Sequence, residues 1–295
     1  MKIENEIIKD FKGIYKNRSI KLKFIKKYTR TDLYISKKTG CLIPSRYYNS
    51  KEILKIWEKK YKKKIYTSTS RHFLSRHIYI LETVKNSINF KNLKIADLGC
   101  GDGGLINLLS KLYNQKNIYG FDAFEQNIER NKKKFKSNTI RFINANIENI
   151  DAKKFKEYFD VVFLTWTLSC TSDPIKIMEK IFKIIKKNGH VVIAESSRIL
   201  VPPNYTLDYY FSLKQKTNTF LDYPWRFSFN SLRNLLLLFN FKVINFNDFK
   251  HNDNLVILAK KSKLKNKKYK FDNYKTLYAF FKKWKRYTEM FKKIS

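Results

Sequence analysis

Acidic and glycine residues follow a short apolar strand in a spacing that suits nucleoside binding. The run 95–104 reads IADLGCGDGG, so the strand reaches Asp97 and alternating glycines follow at Gly99, Gly101 and Gly103. A helical pattern of Leu and Ile begins at Leu105. Glycines permit a tight turn and let a ligand lie against the backbone, and the first turn of a helix offers free N–H groups. The spacing therefore predicts a nucleotide-binding corner.

A second strand ends at an acidic residue that is expected to lie beside this corner. The run 117–121 is apolar and ends at Asp122, close to the offset of about 20 residues at which an acidic residue holds a ribose. Gly99, Gly101 and Gly104 satisfy the dinucleotide pattern, so the glycines do not exclude NAD. Asp97 would repel a pyrophosphate but suits a cationic tail. No Lys-Ser or Lys-Thr pair follows, which excludes a P-loop. We expect a single nucleoside with a non-phosphate tail.

Four motifs in order resemble those of the class I S-adenosylmethionine-dependent methyltransferases over about residues 70 to 262. They are the glycine run 97–103, the ribose acid Asp122, the run 144–147 with Asn146 where Asp is usual, and the run 159–168 followed by Asp173-Pro174. The run 189–195 resembles the family's next strand. The resemblance implies S-adenosylmethionine as the cofactor, with no metal. The cofactor-binding positions that it implies are Asp97, Gly99, Cys100, Gly101, Gly103, Asp122, Ala123, Asn146, Ile147, Thr165 and Trp166.

Strands alternate with helices through residue 195, which implies βαβ units and a mostly parallel sheet. Together with the resemblance, this predicts an α/β fold: a Rossmann-like seven-stranded sheet with helices on both faces. We expect a mostly helical N-terminal cover region over residues 1–66, with a short extended piece at 32–36. The methyltransferase domain would occupy residues 67–262, and a basic helical tail residues 263–295.

Two further segments are similar to methyltransferases of bacterial sugar and surface-polysaccharide pathways. One is the run 38–45 with the helix after it, where such proteins carry a Cys-x-x-Cys knuckle and this chain keeps only Cys41. A structural zinc needs four ligands, so we predict no metal there. The other is Pro-Trp-Arg-Phe-Ser at 224–228. This resemblance implies a small-molecule acceptor, a sugar or nucleotide-sugar, methylated on oxygen or carbon.

Candidates for catalysis and acceptor binding lie outside the cofactor motifs. Glu195 ends a strand and can act as a base or bind an acceptor hydroxyl, and His77 lies on the helix that enters the domain. The run 165–168 lacks the Asp/Asn-Pro-Pro-Tyr/Phe of amino-group methylation, and Cys170 is interpreted as structural. The candidates for acceptor binding are Arg198, Tyr223, Trp225 and Arg226. Each of them can instead have a purely structural role in a loop or in the core.

The composition indicates which partners and which cellular location the protein is expected to have. The formal net charge is +37, but lysine greatly outnumbers arginine and is scattered, which favours a compositional bias over a specific nucleic-acid surface. Three widely spaced cysteines favour a reduced, cytoplasmic protein. No apolar run approaches the ~18 residues of a membrane span. The amphipathic segment 270–295 can contact an anionic membrane or pack on the catalytic domain.

The sequence thus predicts an S-adenosylmethionine-dependent methyltransferase acting on a small molecule. Two alternatives stay open. One is an RNA methyltransferase that uses the lysine-rich surface. The other is a catalytically silent scaffold that binds the cofactor or a membrane.

Overall fold

A seven-stranded sheet forms the centre of the protein. The structure is a computed structural model that describes residues 2–12, 19–22, 33–44, 49–62, 71–195, 224–247 and 254–294. The helices are α1 Lys2–Phe11, α2 Ser50–Lys62, α3 Arg71–Val84, α4 Gly104–Tyr113, α5 Glu125–Lys134, α6 Pro174–Ile184, α7 Phe229–Leu238 and α8 Tyr274–Ile294. The strands are β1 Ser19–Leu22, β2 Leu33–Ser36, β3 Leu42–Pro44, β4 Ile95–Leu98, β5 Ile118–Asp122, β6 Ile140–Asn144, β7 Phe159–Thr165, β8 Ile185–Glu195, β9 Phe241–Phe246 and β10 Leu255–Lys261.

The strand order of the large sheet is β6-β5-β4-β7-β8-β10-β9. The first five strands pair in parallel, and β10 runs antiparallel to both β8 and β9. The order reverses between β4 and β7, and ligands of such sheets bind at the carboxyl ends of the strands beside this switch point. The predicted α/β fold is confirmed.

Both faces of the sheet are covered by apolar packing, because successive side chains of a strand point to opposite faces. Along β7, Val162 and Leu164 belong to one buried cluster, while Val161 and Phe163 belong to the cluster on the other face. The run 161–164 of β7, the central strand of the sheet, is therefore apolar at four successive positions. Within the described part of the chain, no helix has the length and apolar character needed to cross a membrane.

The N-terminal region differs from its predicted, mostly helical form. Besides α1 and α2 it contains an antiparallel sheet of β1, β2 and β3, of which the sequence predicted only the extended piece at 32–36. These strands are three or four residues long, too short for a clear alternation of apolar and polar positions. Leu42 of β3 forms an isolated antiparallel bridge with Arg226, so the small sheet is tied to the segment before α7.

The C-terminal segment packs on the N-terminal region. The backbone N–H of Asp272 donates to Thr39 O, and Gly40, at φ +69°, leaves no room for a Cβ beneath the Asp272 carbonyl. Phe281, on the predicted apolar face of α8, is buried, and α8 lies against β2. Packing within the chain therefore accounts for this part of the amphipathic face.

One further difference concerns His190. The sequence places it at the start of a strand, but β8 begins five residues earlier, at Ile185. His190 pairs with Val161 near the amino end of β7, so it still lies away from the carboxyl edge of the sheet.

Candidate cofactor and acceptor site

A glycine turn connects β4 to α4 at the carboxyl edge of the sheet. Gly99, Gly101 and Gly103 have φ of +82°, +54° and +76°, which favours glycine at each position. A Cβ on Gly99 would lie 2.5 Å from Oγ1 of Thr167, which follows β7, so the turn and this loop are in direct contact. A Cβ on Gly101 would meet nothing within 4 Å. The turn is therefore tight on one side and open at Gly101.

Asp122 is held beside this turn by three hydrogen bonds. Its Oδ2 accepts from the backbone N–H of Gly101 at 2.9 Å, and its Oδ1 accepts from the N–H of Phe124 at 2.9 Å and from Nδ2 of Asn127 at 3.2 Å. Burial raises the pKa of Asp122, while the N–H groups of Phe124 and Gly101 act in the opposite direction. The carboxylate is thus fixed in orientation against the open side of the turn.

Two further carboxyl groups at the corner carry buried oxygens without a partner. No residue that the structure describes donates a hydrogen bond to Asp97 Oδ1 or to either carboxylate oxygen of Asp102. Burial, and then the charge of Asp122, raises the pKa of Asp97 to about 7. Unpaired buried carboxylate oxygens are costly unless a donor or a cation satisfies them. The corner therefore fits a ligand with a cationic tail, as Asp97 predicted.

Asp102 was absent from the predicted cofactor positions. Its residue type was visible inside the glycine run, but its side chain can point to solvent or inward with equal ease in a turn. In the structure the side chain is buried, at 8% exposure, which the residue type alone does not reveal.

The third predicted motif follows β6. Asn146 caps a short turn of 3₁₀ helix, since its Oδ1 accepts from the N–H of Glu148 at 3.0 Å. Its Nδ2 donates to Oγ of Ser50, the first residue of α2, at 2.6 Å. The N-terminal region thus contacts the corner directly. Ile147 is buried, and Ala123 is half-buried immediately after Asp122.

Cys100 lies within the turn and is buried, and burial raises the pKa of its thiol. The side-chain amide of Asn131 donates to its Sγ at 3.9 Å and to the carbonyl of Gly101 at 2.8 Å. These contacts, reached from α5, fix the backbone of the turn.

The loop after β7 begins with Thr165 and Trp166. Thr165 is buried at the end of the strand, and the N–H of Trp166 donates to Ala194 O at 2.7 Å. Trp166 has φ +52°, an outlier for a bulky residue. Its ring centroid lies 5.6 Å from that of His77, so α3 brings the predicted histidine to this loop.

Glu195 is fully buried at the end of β8. Its Oε1 accepts from the N–H of Ser169 at 3.0 Å and its Oε2 from the Ser169 hydroxyl at 2.6 Å. The carboxylate holds the turn 168–170, which lies next to Trp166. His77 is also buried, and burial, assisted by the charge of Arg76, lowers its pKa to about 4. Its imidazole is therefore neutral at physiological pH.

The predicted acceptor residues divide into two groups. Trp225 is buried, packs on Phe11 at a centroid distance of 5.7 Å, and donates from Nε1 to Thr171 O at 2.8 Å. These contacts place Trp225 in the packed interior, in keeping with the core role that the sequence left open for it. Arg226 is 4% exposed beneath β3. Arg198 and Tyr223 lie outside the described residues.

The strand order, the glycine turn and the ribose-type carboxylate after β5 together define a class I S-adenosylmethionine-dependent methyltransferase. Residues 89–293 match the family described as methyltransferase domain, and the chain belongs to this family. The match confirms the predicted class and its cofactor, S-adenosylmethionine. The narrower sugar and polysaccharide subtype is not confirmed by it.

Curated relatives share part of the chain. A demethylmenaquinone methyltransferase of Lactococcus lactis is 28% identical over 134 residues, 44% of this chain and 52% of that protein. A ubiquinone biosynthesis O-methyltransferase of Pelagibacter ubique is 31% identical over 110 residues, 37% of this chain and 45% of that protein. The chain spans about half the length of the curated relatives it matches.

The fold is also similar to solved structures. The 1,6-didemethyltoxoflavin-N1-methyltransferase of Burkholderia thailandensis, solved with 1,6-didemethyltoxoflavin and S-adenosylhomocysteine, has a TM-score of 0.55 at 11% identity, covering 82% of this chain and 99% of that one. An S-adenosylmethionine-dependent methyltransferase of Mesorhizobium loti has a TM-score of 0.51 at 15% identity, covering 61% of this chain and 95% of that one. At these identities the likeness concerns the fold alone.

Proposed function

We propose that this chain transfers the methyl group of S-adenosylmethionine to an oxygen or carbon atom of a small-molecule acceptor. The observation that carries the proposal is the Asp122 carboxylate, which three donors orient against the open side of the glycine turn. In this arrangement Asp122 accepts hydrogen bonds from the ribose hydroxyls. Asp97 and Asp102 face the cationic part of the cofactor, and Asn146 and Ile147 border its adenine.

The bound cofactor supplies an electrophilic methyl group. The chain therefore has to align the acceptor, exclude water and take up the proton that the acceptor loses. Glu195 acts as a positioning residue, because both of its oxygens hold Ser169. His77 is the candidate base, since its neutral imidazole lies at the loop that contacts the glycine turn.

The acceptor class is supported from two sides. The names of the curated relatives, which belong to menaquinone and ubiquinone biosynthesis, favour a hydroxylated aromatic ring. The resemblance at residues 38–45 and 224–228 favours a sugar or nucleotide-sugar. We place the aromatic ring first, because Trp225, which lies in the segment 224–228 that resembles the sugar-pathway proteins, is buried against Phe11. Three free cysteines support the proposed cytoplasmic location.

Calorimetric titration of the purified chain tests the cofactor. We expect micromolar binding of S-adenosylmethionine and S-adenosylhomocysteine and no binding of NAD. Methyl transfer is then measured on a panel of phenols, hydroquinones, nucleotide-sugars and RNA. If neither S-adenosylmethionine nor S-adenosylhomocysteine binds, the proposal is contradicted. Binding without turnover on any of the four classes would favour the scaffold, and turnover on RNA alone the RNA enzyme.

Cofactor affinity is expected to depend on pH through Asp97. A cationic tail stabilises the ionised form of Asp97, whose pKa in the protein without cofactor is about 7. Binding therefore releases a proton, and affinity falls as the pH decreases. We expect a loss of roughly tenfold between about pH 7 and pH 5.5, a range below the ~7.7–8.0 at which an α-amino group loses its proton.

Calorimetry in buffers of different ionisation enthalpy measures this proton release at each pH. Asp97→Asn is the matched variant, because it keeps the size of the side chain and removes the titration. If the variant keeps the full pH dependence of the wild type, another group is responsible and the role of Asp97 is refuted.

A further inference from the structure

Trp166 is held in a strained conformation at the carboxyl edge of the sheet. Its φ is +52°, and a bulky residue keeps this unfavourable backbone conformation only where the surroundings impose it. Two contacts fix its backbone: its N–H donates to Ala194 O at 2.7 Å, and its carbonyl accepts from the Cys170 thiol at 3.3 Å. The next residue, Thr167, touches the glycine turn at Gly99. Strain of this kind clusters at functional sites.

Two residues of α3 hold the indole ring itself. The guanidinium carbon of Arg76 lies 4.0 Å from the ring centroid, a close cation–π contact. Nε of Arg76 donates to Oδ1 of Asn254 at 2.8 Å, which fixes the guanidinium. The imidazole of His77 packs on the indole at 5.6 Å with an interplanar angle of 54°. Position and orientation of the indole are thus determined from both the sheet and the helix.

The two neighbouring rings each carry a buried nitrogen without a hydrogen-bond partner. These atoms are Nε1 of Trp166 and Nδ1 of His77. His77 is 7% exposed, and its imidazole is neutral because burial, together with the charge of Arg76, lowers its pKa. The indole nitrogen can only donate, whereas a neutral imidazole nitrogen can accept. A buried polar atom without a partner destabilises the protein, so a ligand that pairs with both atoms recovers this cost.

We propose that Trp166 and His77 bind an aryl hydroxyl of the acceptor, with the indole N–H donating a hydrogen bond to its oxygen and the imidazole Nδ1 accepting a hydrogen bond from its O–H. The inference rests on the proposed methyltransferase function and narrows its acceptor. A hydroxyl group both accepts and donates a hydrogen bond, so a single group has the chemistry to pair with both atoms.

The chemistry of the cluster favours an aryl over an alkyl hydroxyl. The positive charge of Arg76, which lies 4.0 Å from the indole centroid, favours a hydroxyl that acquires negative charge. A phenol ionises near pKa 10, whereas water-like hydroxyls ionise near roughly 16, so the cluster can draw negative charge onto a phenol far more easily. The aromatic surface of Trp166 and His77 also suits a flat ring.

Nuclear magnetic resonance of the indole groups tests the inference. The full chain, labelled with ¹⁵N in its four tryptophan indoles and saturated with S-adenosylhomocysteine, is titrated with 4-hydroxybenzoate, catechol and methyl glucoside. Trp166→Phe identifies the Trp166 resonance. We expect both phenols to shift this N–H resonance downfield, methyl glucoside to leave it unchanged, and the other indole resonances to stay in place.

Affinity of the phenols for two variants completes the test. Trp166→Phe keeps an aromatic ring without the donor, and His77→Gln keeps a polar side chain without the imidazole. Each is expected to weaken phenol binding about 2- to 12-fold, the loss of one hydrogen bond, when measured at a concentration of S-adenosylhomocysteine that saturates that variant. His190→Gln, a half-buried histidine elsewhere in the sheet, is the matched control and is expected to bind like the wild type.

Three outcomes overturn the inference. They are an unmoved Trp166 resonance with every phenol, a shift caused by methyl glucoside instead, and unchanged phenol affinity in both variants. Each of these leaves the proposed methyltransferase intact as long as S-adenosylhomocysteine binds. Loss of that binding in the wild type would instead refute the proposed function itself.

Discussion

Replacing Asp122 by alanine is expected to weaken S-adenosylmethionine binding by about 1.5–3 kcal/mol, or roughly 10- to 150-fold. The variant loses the charge-assisted hydrogen bonds to the ribose. It also leaves the N–H groups of Gly101 and Phe124 without their acceptor, which loosens the turn on which the cofactor lies. Calorimetric titration of variant and wild type measures the difference.

Asp151→Ala is the matched control for this variant. Asp151 also accepts two backbone N–H groups, those of Lys153 and Lys154, but it is exposed and both of these hydrogen bonds are local to residues 151–154. Its replacement should leave the cofactor affinity unchanged. Equal affinities of Asp122→Ala and the wild type would remove Asp122 from the ribose site.

Alanine at Gly99 and at Gly101 is expected to separate folding from cofactor binding. At Gly99 the φ of +82° strains any other residue, and the new Cβ would lie 2.5 Å from Oγ1 of Thr167. Strain and overpacking together should lower the free energy of unfolding by about 2–5 kcal/mol. Urea denaturation measures this loss.

At Gly101 the backbone strain is small, because φ +54° lies in the left-handed region that other residues can adopt at a cost of roughly 1–2 kcal/mol. The added methyl group meets no protein atom within 4 Å. It enters the open side of the turn, where the cofactor lies in our proposal, so affinity should fall at least about tenfold while the fold persists. A Gly101→Ala variant with wild-type affinity would show that the cofactor does not contact this side.

The cofactor corner was predictable because it is local in sequence. A strand, a glycine turn, a helix and a second strand are consecutive, and parallel strands in this order necessarily bring Asp122 to the turn. The same reasoning missed the N-terminal sheet, whose three- and four-residue strands carry too short a pattern to recognise. It also treated Trp225 as an acceptor residue, whereas packing against Phe11 buries it.

The sequence by itself determined the large sheet, the position of the glycine turn and the acidic residue that lies beside it, Asp122, since these depend on spacing within βαβ units. Only the tertiary structure decided which polar atoms remain unpaired. Asp102 and the pair Trp166 and His77 became visible in this way, because burial and hydrogen bonding depend on residues that are distant in the chain. His77 lies 89 residues before Trp166, and no local pattern relates the two. Their meeting follows from the packing of α3 against the sheet.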